Sequence, residues 1–387
     1  MDIDTNLLLM SRQEKDLFNS DIAPLYSSTS YNLDINHIED QEYSYSRIEN
    51  PTRTLLQEQL AILDNAIYSH ASPSGLSAIN TILSLLHPGD EVIFHNNIYG
   101  GTYNILIHLA STKGIILTQV DMCNSDNIKN AVSKATKLIL MESPSNPLQQ
   151  ICNIREICHI AKNNNIMTAI DNSVISSYYQ KPLDFGVDFS IQSATKYLCG
   201  HGDITAGVIS VAEQSNKTKI TEILYRQGNA LPPHDSWLLH RSLKTLGLRM
   251  KEQQATAIIV AKFLNEHPLI KKVNYLGLKS HPQYELHKSQ ASGTASTLSF
   301  NTQSIEFSKE LIKNMSTFFK VTPSFGSVNS SVSLPYAMSH QNIFACPLAK
   351  KTFTPDLIRI SIGIEKQKDI LNAINSALEK TYITLLK

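Results

Sequence analysis

Three short apolar segments of the chain each run directly into polar residues that could carry chemistry. Together these polar clusters supply an amine, a carboxylate, amides and hydroxyls. The apolar segments and the clusters that follow them are 137–142 with 143–147, 166–170 with 171–172, and 188–192 with 193–196. Any one cluster could consist of ordinary loop residues, but three successive segments that end in this way favour one shared site.

Lys196 is the candidate nucleophile in the last of these clusters. A lysine amine forms a Schiff base with an aldehyde only when it is deprotonated, so it needs a partly buried or electropositive position that lowers its pKa. Ser193 and Thr195 could donate hydroxyl hydrogen bonds to an anion, although a lysine in such a motif can also be a solvated surface group. Asp171 could keep a pyridine nitrogen protonated, or it could cap a turn.

Two glycine-containing motifs could complete such a site. Residues 72–76 open a predicted helix, and Gly75 would let backbone N–H groups approach an anion at the positive end of that helix. The alternative is an ordinary serine cap. Tyr99 precedes Gly100 and Gly101 and could stack on an aromatic ring, since glycines allow close approach. The same tripeptide is also typical of a turn.

Helical and strand patterns alternate from about residue 53 to 210. The predicted helices are 53–65, 74–87, about 101–112 and about 125–134, and the predicted strands are 91–95, 115–120, 137–142, 166–170 and 188–192. Short apolar strands separated by helices predict βαβ units and a largely parallel sheet. In such sheets ligands bind beyond the carboxyl ends of the strands, which is where the three polar clusters fall.

The pattern changes after about residue 240. The elements predicted there are a long helix at 249–267, strands at 296–300 and 358–362, and helices at 304–315 and 366–380. Residues 1–50 are polar with little periodicity and are predicted to form an arm that needs another surface for its order. The predicted division is therefore an arm at 1–50, a larger domain at 51–240 and a smaller α+β domain at 241–387.

Composition narrows the class of protein. Hydrophobic residues make up 42% of the 387 residues, and the 34 basic residues balance the 34 acidic ones. This balance argues against a nucleic-acid partner, and no apolar run is long enough to span a membrane. The acidic start of the chain does not resemble a secretory signal. The five cysteines are odd in number and form no C-x-x-C pair, so neither a disulfide framework nor a metal site is predicted, and a cytoplasmic protein is expected.

The motifs occur in an order that resembles a known enzyme family. They are 45–52 (YSRIENPT), 74–76 (SGL), 99–102 (YGGT), 142–147 (ESPSNP), 171–172 (DN), 193–197 (SATKY), 200–203 (GHGD) and 359–365 (RISIGIE). From about Ile22 to the C-terminus, the chain is similar to the Cys/Met-metabolism family of pyridoxal-phosphate enzymes. That family includes the cystathionine lyases, cystathionine γ-synthase, methionine γ-lyase and the O-acylhomoserine sulfhydrylases. The resemblance implies an α/β fold of the fold-type I pyridoxal-phosphate transferase-like class, with pyridoxal 5'-phosphate as cofactor.

The resemblance also implies roles for individual residues. Lys196 would hold the cofactor and move protons, and Asp171 would pair with the ring nitrogen. Asn146 would contact the ring hydroxyl, and Tyr99 would stack on the ring and act on the substrate amine. The phosphate would be bound by the amides of Gly75 and Leu76 and by the hydroxyls of Ser193 and Thr195. Arg359, with Ser324, would bind the substrate carboxylate.

The implied partners are a small amino-acid substrate and further copies of the chain. Tyr45 and Arg47 would reach the phosphate of a neighbouring subunit, which suits the two-pronged geometry of arginine. The active sites would then be shared in a homodimer, and a homotetramer is expected. No nucleic-acid or membrane partner is implied.

Departures from the family pattern bear on the reaction. Pro323 replaces a glutamate common in γ-lyases and γ-synthases, an acidic residue usual at Asn329 is missing, and Phe325 is aromatic as in some β-lyases. These features favour a carbon–sulfur lyase that cleaves cystathionine or a similar thioether amino acid by β-elimination. Gly101 stands where methionine γ-lyases carry a reactive cysteine. Cys199, close to the predicted cofactor lysine, is compatible with either tight packing or reactivity.

Two alternatives to this reaction stay open. The first is γ-replacement, as in cystathionine γ-synthase or the O-acylhomoserine sulfhydrylases, some of which resemble this chain at residues 103–104. The second is a non-catalytic binding or regulatory relative. The intact set of Lys196, Asp171, Arg47 and Arg359 argues against the second alternative.

Overall fold

The larger of two β-sheets forms the centre of the fold. The computed structural model describes residues 1–9, 18, 20–338 and 354–385. The strands of the larger sheet are β1 (Tyr68–Ser72), β2 (Glu91–His95), β3 (Ile116–Val120), β4 (Thr136–Glu142), β5 (Met167–Asp171), β6 (Phe189–Gln192) and β7 (Gly207–Val211). They lie in the order β1-β7-β6-β5-β4-β2-β3. Neighbours pair in parallel except at β7, which is antiparallel to both β1 and β6. The prediction of a largely parallel sheet is confirmed.

Apolar side chains cover both faces of this sheet, as expected when helices connect parallel strands. Phe94 and Leu140 belong to the core on one face, whereas Ile93 and Ile139 belong to the core on the other. Successive strand residues point to opposite faces of the sheet. Because both faces are covered, side chains on both sides of such a strand are buried, which explains why the predicted strands are continuous apolar runs. The helices of this region are α1 (Ile3–Leu9), α2 (Pro51–Leu63), α3 (Gly75–Leu83), α4 (Gly100–Lys113), α5 (Ser125–Ala131), α6 (Ile154–Asn163), α7 (Ser176–Tyr179), α8 (Gln214–Gln227) and α9 (Pro233–Leu243).

The smaller sheet lies in the C-terminal part of the chain. Its strands are β8 (Lys272–Asn274), β9 (Thr297–Asn301), β10 (Lys320–Val321), β11 (Ser331–Ser333) and β12 (Leu357–Ser361), in the order β10-β11-β12-β9-β8. The accompanying helices are α10 (Leu246–Glu266), α11 (Tyr284–Gln290), α12 (Ile305–Met315) and α13 (Gln367–Leu385). A core of its own packs α10, α12 and α13 against this sheet. None of the described helices has the length and apolarity needed to cross a membrane.

Several predicted boundaries differ from the observed ones for local reasons. The helix predicted at 74–87 ends at Leu83, and the backbone N–H groups of Leu85 and Leu86 then bond three residues back, to Ile82 and Leu83, instead of four. Strands β1 and β7 were not predicted. The sequence of β1 is largely polar, and its burial comes from its neighbours in the sheet rather than from its own apolar residues.

The N-terminal segment has more contacts with its own chain than its composition predicts. Leu7 of α1 is 1% exposed, and Gln59 donates a hydrogen bond to its carbonyl. Trp237 likewise donates to the carbonyl of Ala23. The side chain of Ile35, in contrast, is 80% exposed. The segment is therefore partly tied to its own chain and partly presents apolar surface.

Candidate active site

A cavity of about 530 Å³ lies at the carboxyl ends of β4, β5 and β6, which are neighbours in the sheet. The three polar clusters predicted to meet are therefore brought together. The predicted site residues that line the cavity are Gly75, Leu76, Tyr99, Asn146, Asp171, Ser193, Thr195, Lys196 and Ser324. The predicted site residues that do not line it are Tyr45, Arg47 and Arg359.

Lys196 lies in the turn that follows β6, with its amine in the cavity wall. Its Nζ donates a 2.8 Å hydrogen bond to the hydroxyl of Ser324 and lies 4.9 Å from the ring centroid of Phe325. Burial and the positive charge of Arg359 lower the pKa of Lys196 to about 8, although the charge of Asp171 acts in the opposite direction. This position meets the requirement set by Schiff-base chemistry, because a substantial fraction of the amine is neutral near physiological pH.

Asp171 ends β5 and presents a buried carboxylate. Its Oδ1 accepts hydrogen bonds from the backbone N–H of Ser173 at 3.0 Å and from the Ser173 hydroxyl at 2.5 Å. Burial raises the pKa of Asp171, while the hydrogen bonds from Ser173 and the charge of Lys196 lower it. A buried carboxylate of this kind is stabilised by a cationic partner, such as a protonated ring nitrogen.

The start of α3 faces the same cavity. Ser74 caps the helix by accepting a hydrogen bond from the backbone N–H of Ser77 at 3.1 Å. The N–H groups of Gly75 and Leu76 belong to the first turn, where a helix provides no carbonyl partners. A Cβ atom on Gly75 would lie 2.8 Å from the Cβ of Ser193, so glycine is needed for the helix to approach the turn that carries Ser193. The arrangement can bind an anion.

Thr195 lies in the wall of the anion-binding end, but its hydroxyl is engaged by the backbone. Its Oγ1 accepts from the N–H of Ala206 at 3.0 Å and donates to the Ala206 carbonyl at 3.2 Å. A hydrogen bond from Thr195 to a bound anion would have to replace the one to that carbonyl.

Tyr99 precedes α4 and lines the same cavity as Asp171 and Lys196. A Cβ atom on Gly101 would lie 2.5 Å from Cε1 of Tyr99 and 3.1 Å from a methyl carbon of Leu76. Glycine at position 101 therefore lets the tyrosine ring pack directly against the helix. A cysteine in its place would displace the ring.

Glu142 is a buried carboxylate in the cavity for which no role was predicted. Its Oε2 accepts from the backbone N–H of Tyr99 at 2.7 Å, and its Oε1 accepts from the backbone N–H of Asn146 at 2.8 Å. Burial and the neighbouring Asp171, with which it is aligned across β4 and β5, raise the pKa of Glu142 well above its ordinary value. One side chain thus fixes the backbone at two of the predicted cofactor contacts. Its signals in the sequence are its position at the end of a buried strand and its place as the first residue of the 142–147 motif.

Arg359 of β12 lies behind the wall formed by Ser324 and Phe325. Its guanidinium donates to the carbonyls of Pro323 at 2.7 Å and Ser324 at 2.9 Å, and to Oδ1 of Asn146 at 3.2 Å. The side chain is 1% exposed, and burial lowers the pKa of Arg359 to about 10. The structure thus brings Arg359 beside Ser324, as predicted for the two substrate-binding residues. The guanidinium N–H groups, however, are hydrogen-bonded to oxygen atoms of the protein itself.

Tyr45 and Arg47 lie away from the cavity. Arg47 donates to the carbonyl of Tyr225 at 3.2 Å, and its guanidinium carbon lies 5.5 Å from the ring centroid of Tyr45. The Tyr45 side chain is 42% exposed. Within one chain, neither side chain can contact the anion-binding end, so their role at a partner's phosphate stays a prediction.

Two further residues hold the turn that carries Lys196. Arg249 of α10 donates to the carbonyls of Tyr197 at 2.7 Å and Leu198 at 3.2 Å, and a Cβ atom on Gly200 would collide with its guanidinium. Cys199 is fully buried and its thiol donates to Asp203. Burial, together with Asp203, raises the pKa of Cys199. Packing rather than reactivity therefore explains this cysteine.

Comparison with known proteins identifies the family. The sequence profile of the Cys/Met metabolism PLP-dependent enzymes matches residues 4–379. The chain belongs to this family. The predicted family, fold class and cofactor are thereby confirmed, and the match extends further toward the N-terminus than the predicted start at about Ile22.

Individual relatives cover nearly the whole chain. It is 39% identical to the cystathionine β-lyase of Neurospora crassa over 96% of this chain and 80% of that protein. It is 38% identical to the chloroplastic mimosinase of Mimosa pudica over 94% of this chain and 82% of that protein. Among solved structures, it is similar to the cystathionine γ-synthase of Xanthomonas oryzae pv. oryzae, with a TM-score of 0.95, 29% identity and 99% of both chains covered.

The cavity fits pyridoxal phosphate on its own chemistry. It offers an amine with a lowered pKa at Lys196 and a buried carboxylate at Asp171. It also offers a glycine-opened helix start at Gly75 and an aromatic side chain at Tyr99. The amine suits the aldehyde of the cofactor, and the carboxylate suits its ring nitrogen. The helix start suits the phosphate, and the aromatic side chain suits the face of the ring.

Proposed function

We propose that the protein is a carbon–sulfur lyase that cleaves cystathionine, or a similar thioether amino acid, by β-elimination. The observation that carries the proposal is the buried Lys196 amine, which faces the same cavity as Asp171 and is held by Ser324. The 39% identity to a cystathionine β-lyase supports the substrate class. With cystathionine, the products would be homocysteine, pyruvate and ammonia.

Pyridoxal phosphate, when bound, supplies a ring that delocalises the electron pair left after a proton leaves the substrate α-carbon. Lys196 is the base for that proton, since its amine is buried and its pKa is lowered toward neutrality. The resulting ammonium at Nζ can return its proton to the departing sulfur. Ser324 accepts a hydrogen bond from the same Nζ and would hold it in the cavity wall between these transfers.

The remaining site residues are assigned to binding. Asp171 would pair with the ring nitrogen and Asn146 would contact the ring hydroxyl oxygen. The groups assigned to the phosphate are the amides of Gly75 and Leu76 and the hydroxyls of Ser193 and Thr195, and Tyr99 would cover the ring. Arg359 would bind the substrate carboxylate. To do so, its guanidinium would give up at least one of its hydrogen bonds to Asn146, Pro323 and Ser324 and donate to the substrate instead.

The cavity wall supports β-elimination over chemistry at the γ-carbon. A second deprotonation, at the β-carbon, is needed before a γ-leaving group departs. Pro323, Phe325 and Met338 line the cavity beside Lys196 and Ser324 and provide no acid or base there. Among the described residues of this part of the wall, Lys196 is thus the proton carrier, and one proton carrier suffices for β-elimination.

The 29% identity to a cystathionine γ-synthase over almost the full chain favours γ-replacement as the second candidate. Product analysis separates the candidates. With cystathionine, pyruvate supports β-elimination, whereas 2-oxobutyrate points to γ-elimination. Absence of both, together with turnover of an O-acylhomoserine and a thiol, would establish γ-replacement. Incubation with the cofactor should give the absorbance band near ~420 nm of a lysine-bound cofactor, and the band should vanish in Lys196→Ala. Absence of the band in the unmodified protein would overturn the enzymatic hypothesis.

The active site is proposed to be completed across a homodimer, with two dimers forming a tetramer. Arg47 and Tyr45 lie outside the cavity of their own chain, and apolar side chains such as Ile22 and Ile35 of the same segment are exposed. A mixture of Arg47→Ala and Lys196→Ala chains tests this. Each variant alone should be inactive, but a statistical mixture should regain about one quarter of the activity, because half of the dimers then carry one intact site.

The division into an arm at 1–50, a cofactor domain at 51–240 and a C-terminal domain at 241–387 is kept as a proposal. The strands of the larger sheet fall within residues 68–211 and those of the smaller sheet within 272–361, which supports it. The cytoplasmic location also stays a prediction.

A further inference from the structure

Ser173 connects the two ends of the candidate cofactor site, although no role was predicted for it. It follows β5 and lines the cavity. Its hydroxyl lies 2.5 Å from Oδ1 of Asp171 and 2.6 Å from the backbone nitrogen of Ser193. Asp171 is assigned to the ring nitrogen and Ser193 to the phosphate, so this one hydroxyl bridges groups at opposite ends of the ligand.

The direction of the hydrogen bonds through Ser173 is fixed by its partners. The backbone N–H of Ser193 can only donate, so the Ser173 oxygen must accept from it. The single hydroxyl proton of Ser173 is then left for Asp171, whose Oδ1 also accepts the backbone N–H of Ser173 at 3.0 Å. Because Oδ1 receives two donors, it cannot itself carry a proton. Hydrogen bonds to the charged form favour an ionised carboxylate.

We propose that Ser173 is a positioning residue for the cofactor: its hydrogen bonds favour the ionised form of Asp171 and tie that carboxylate to the anion-binding turn at Ser193. The proposal rests on the cofactor contacts assigned above and extends them to a residue behind them. Its effect is exerted through Asp171 and Ser193.

The charged groups that face Asp171 come from the neighbouring strand ends. Glu142 is aligned with it on β4, and Lys196 lies in the turn after β6. Burial raises the pKa of Asp171, whereas the hydrogen bonds from Ser173 lower it more than the charge of Lys196 does. Loss of the Ser173 hydroxyl therefore shifts Asp171 toward its neutral form, which pairs poorly with a protonated ring nitrogen.

The test compares Ser173→Ala with Ser173→Thr, which keeps the hydroxyl. Cofactor-free protein is titrated with pyridoxal phosphate at several pH values, and kcat/KM of the loaded enzyme is followed against pH. Ser173→Ala should weaken cofactor binding about tenfold or more, as expected for a hydrogen bond to a charged group. It should also move the acid limb of the pH profile to higher pH. Ser173→Thr should stay close to wild type in both measurements.

Ser308→Ala provides a matched structural control. Ser308 is fully buried near the smaller sheet, with its hydroxyl 2.7 Å from the Asp356 carbonyl, and it does not line the cavity. This variant should lose thermal stability with cofactor affinity and pH profile unchanged. The proposal is overturned if Ser173→Ala behaves like Ser308→Ala, or if alanine and threonine at position 173 impair binding equally. Cofactor titration uses no substrate, so a failure of the proposed lyase reaction would be seen separately in the product assay.

Discussion

The amine of Lys196 and the hydroxyl of Ser324 form a 2.8 Å hydrogen bond between residues 128 positions apart in the sequence. One lies in a turn after the larger sheet, and the other lies between β10 and β11 of the smaller sheet. The contact keeps the amine in the cavity wall, where the ring of Phe325 lies 4.9 Å away and the charge of Arg359, behind that wall, lowers the pKa of Lys196. The reactivity of the lysine therefore depends on the position of the smaller sheet.

The first prediction concerns the cofactor-free protein. Because burial and Arg359 lower the pKa of Lys196 to about 8, the neutral amine should become available as the pH rises through that value. The rate at which pyridoxal phosphate develops its lysine-bound absorbance should rise with pH, with a midpoint near 8. Stopped-flow absorbance at a series of pH values measures this. A midpoint near that of an exposed lysine, at about 10.4, would contradict the burial of the amine.

The second prediction separates the charge of Arg359 from its shape. Arg359 lowers the pKa of Lys196, so Arg359→Gln should move the midpoint of the same reaction to higher pH. Arg359→Lys keeps the charge but loses the two-pronged geometry, so its midpoint should stay near that of wild type. Both variants should raise KM for the amino-acid substrate if Arg359 binds its carboxylate. Equal shifts of the midpoint in the two variants would show that packing, and not charge, controls the amine.

The third prediction concerns Gly101. In Gly101→Ala the new Cβ would lie 2.5 Å from Cε1 of Tyr99, so the tyrosine ring must move from its place in the cavity. Cofactor affinity should fall about fivefold, since a stacked aromatic contact contributes about 1 kcal/mol. The value of kcat should fall as well, because the position of the ring supports the reaction.

Gly114→Ala is the control for Gly101→Ala. Gly114 has a positive φ of 67°, and no atom lies within 4 Å of the position that a Cβ would take there. Alanine at this position therefore strains the backbone without touching the site. The stability of the variant should fall by about 1 kcal/mol while its cofactor affinity stays unchanged. Titration of both variants with pyridoxal phosphate, beside thermal unfolding, makes the comparison.

The sequence allows prediction of those site residues that follow directly from strand ends. Lys196 and Asp171 end consecutive apolar segments, so a parallel sheet alone predicts their meeting. Glu142 and Ser173 depend on strand register and on hydrogen bonds whose direction becomes visible only in three dimensions. Arg249 is less predictable still, because it acts on backbone carbonyls 52 and 51 positions away. Backbone acceptors leave no residue-type signal in a sequence.

The last prediction concerns Asp64, a buried carboxylate at the end of α2. Its Oδ1 accepts from the hydroxyl of Ser177 at 2.7 Å, and the hydroxyls of Ser190 and Ser210 lie close to the carboxylate. Burial raises the pKa of Asp64 from 3.8 to about 6. The folded state thus holds the proton more tightly than the unfolded state, so the contribution to stability is full below pH 3.8 and is lost as pH rises through about 6.

Asp64→Asn should therefore stabilise the protein at neutral pH. The amide keeps the acceptor for Ser177, and its Nδ2 can donate to the nearby Ser190 hydroxyl. The substitution also removes a negative charge from the C-terminal end of a helix. The gain at pH 7 should be up to about 3 kcal/mol and should vanish toward pH 4. Asp64→Ala, which leaves Ser177 without its acceptor, should not reproduce it. Urea unfolding of the three proteins between pH 4 and pH 8 measures the difference, and a gain independent of pH would refute the role assigned to the charge.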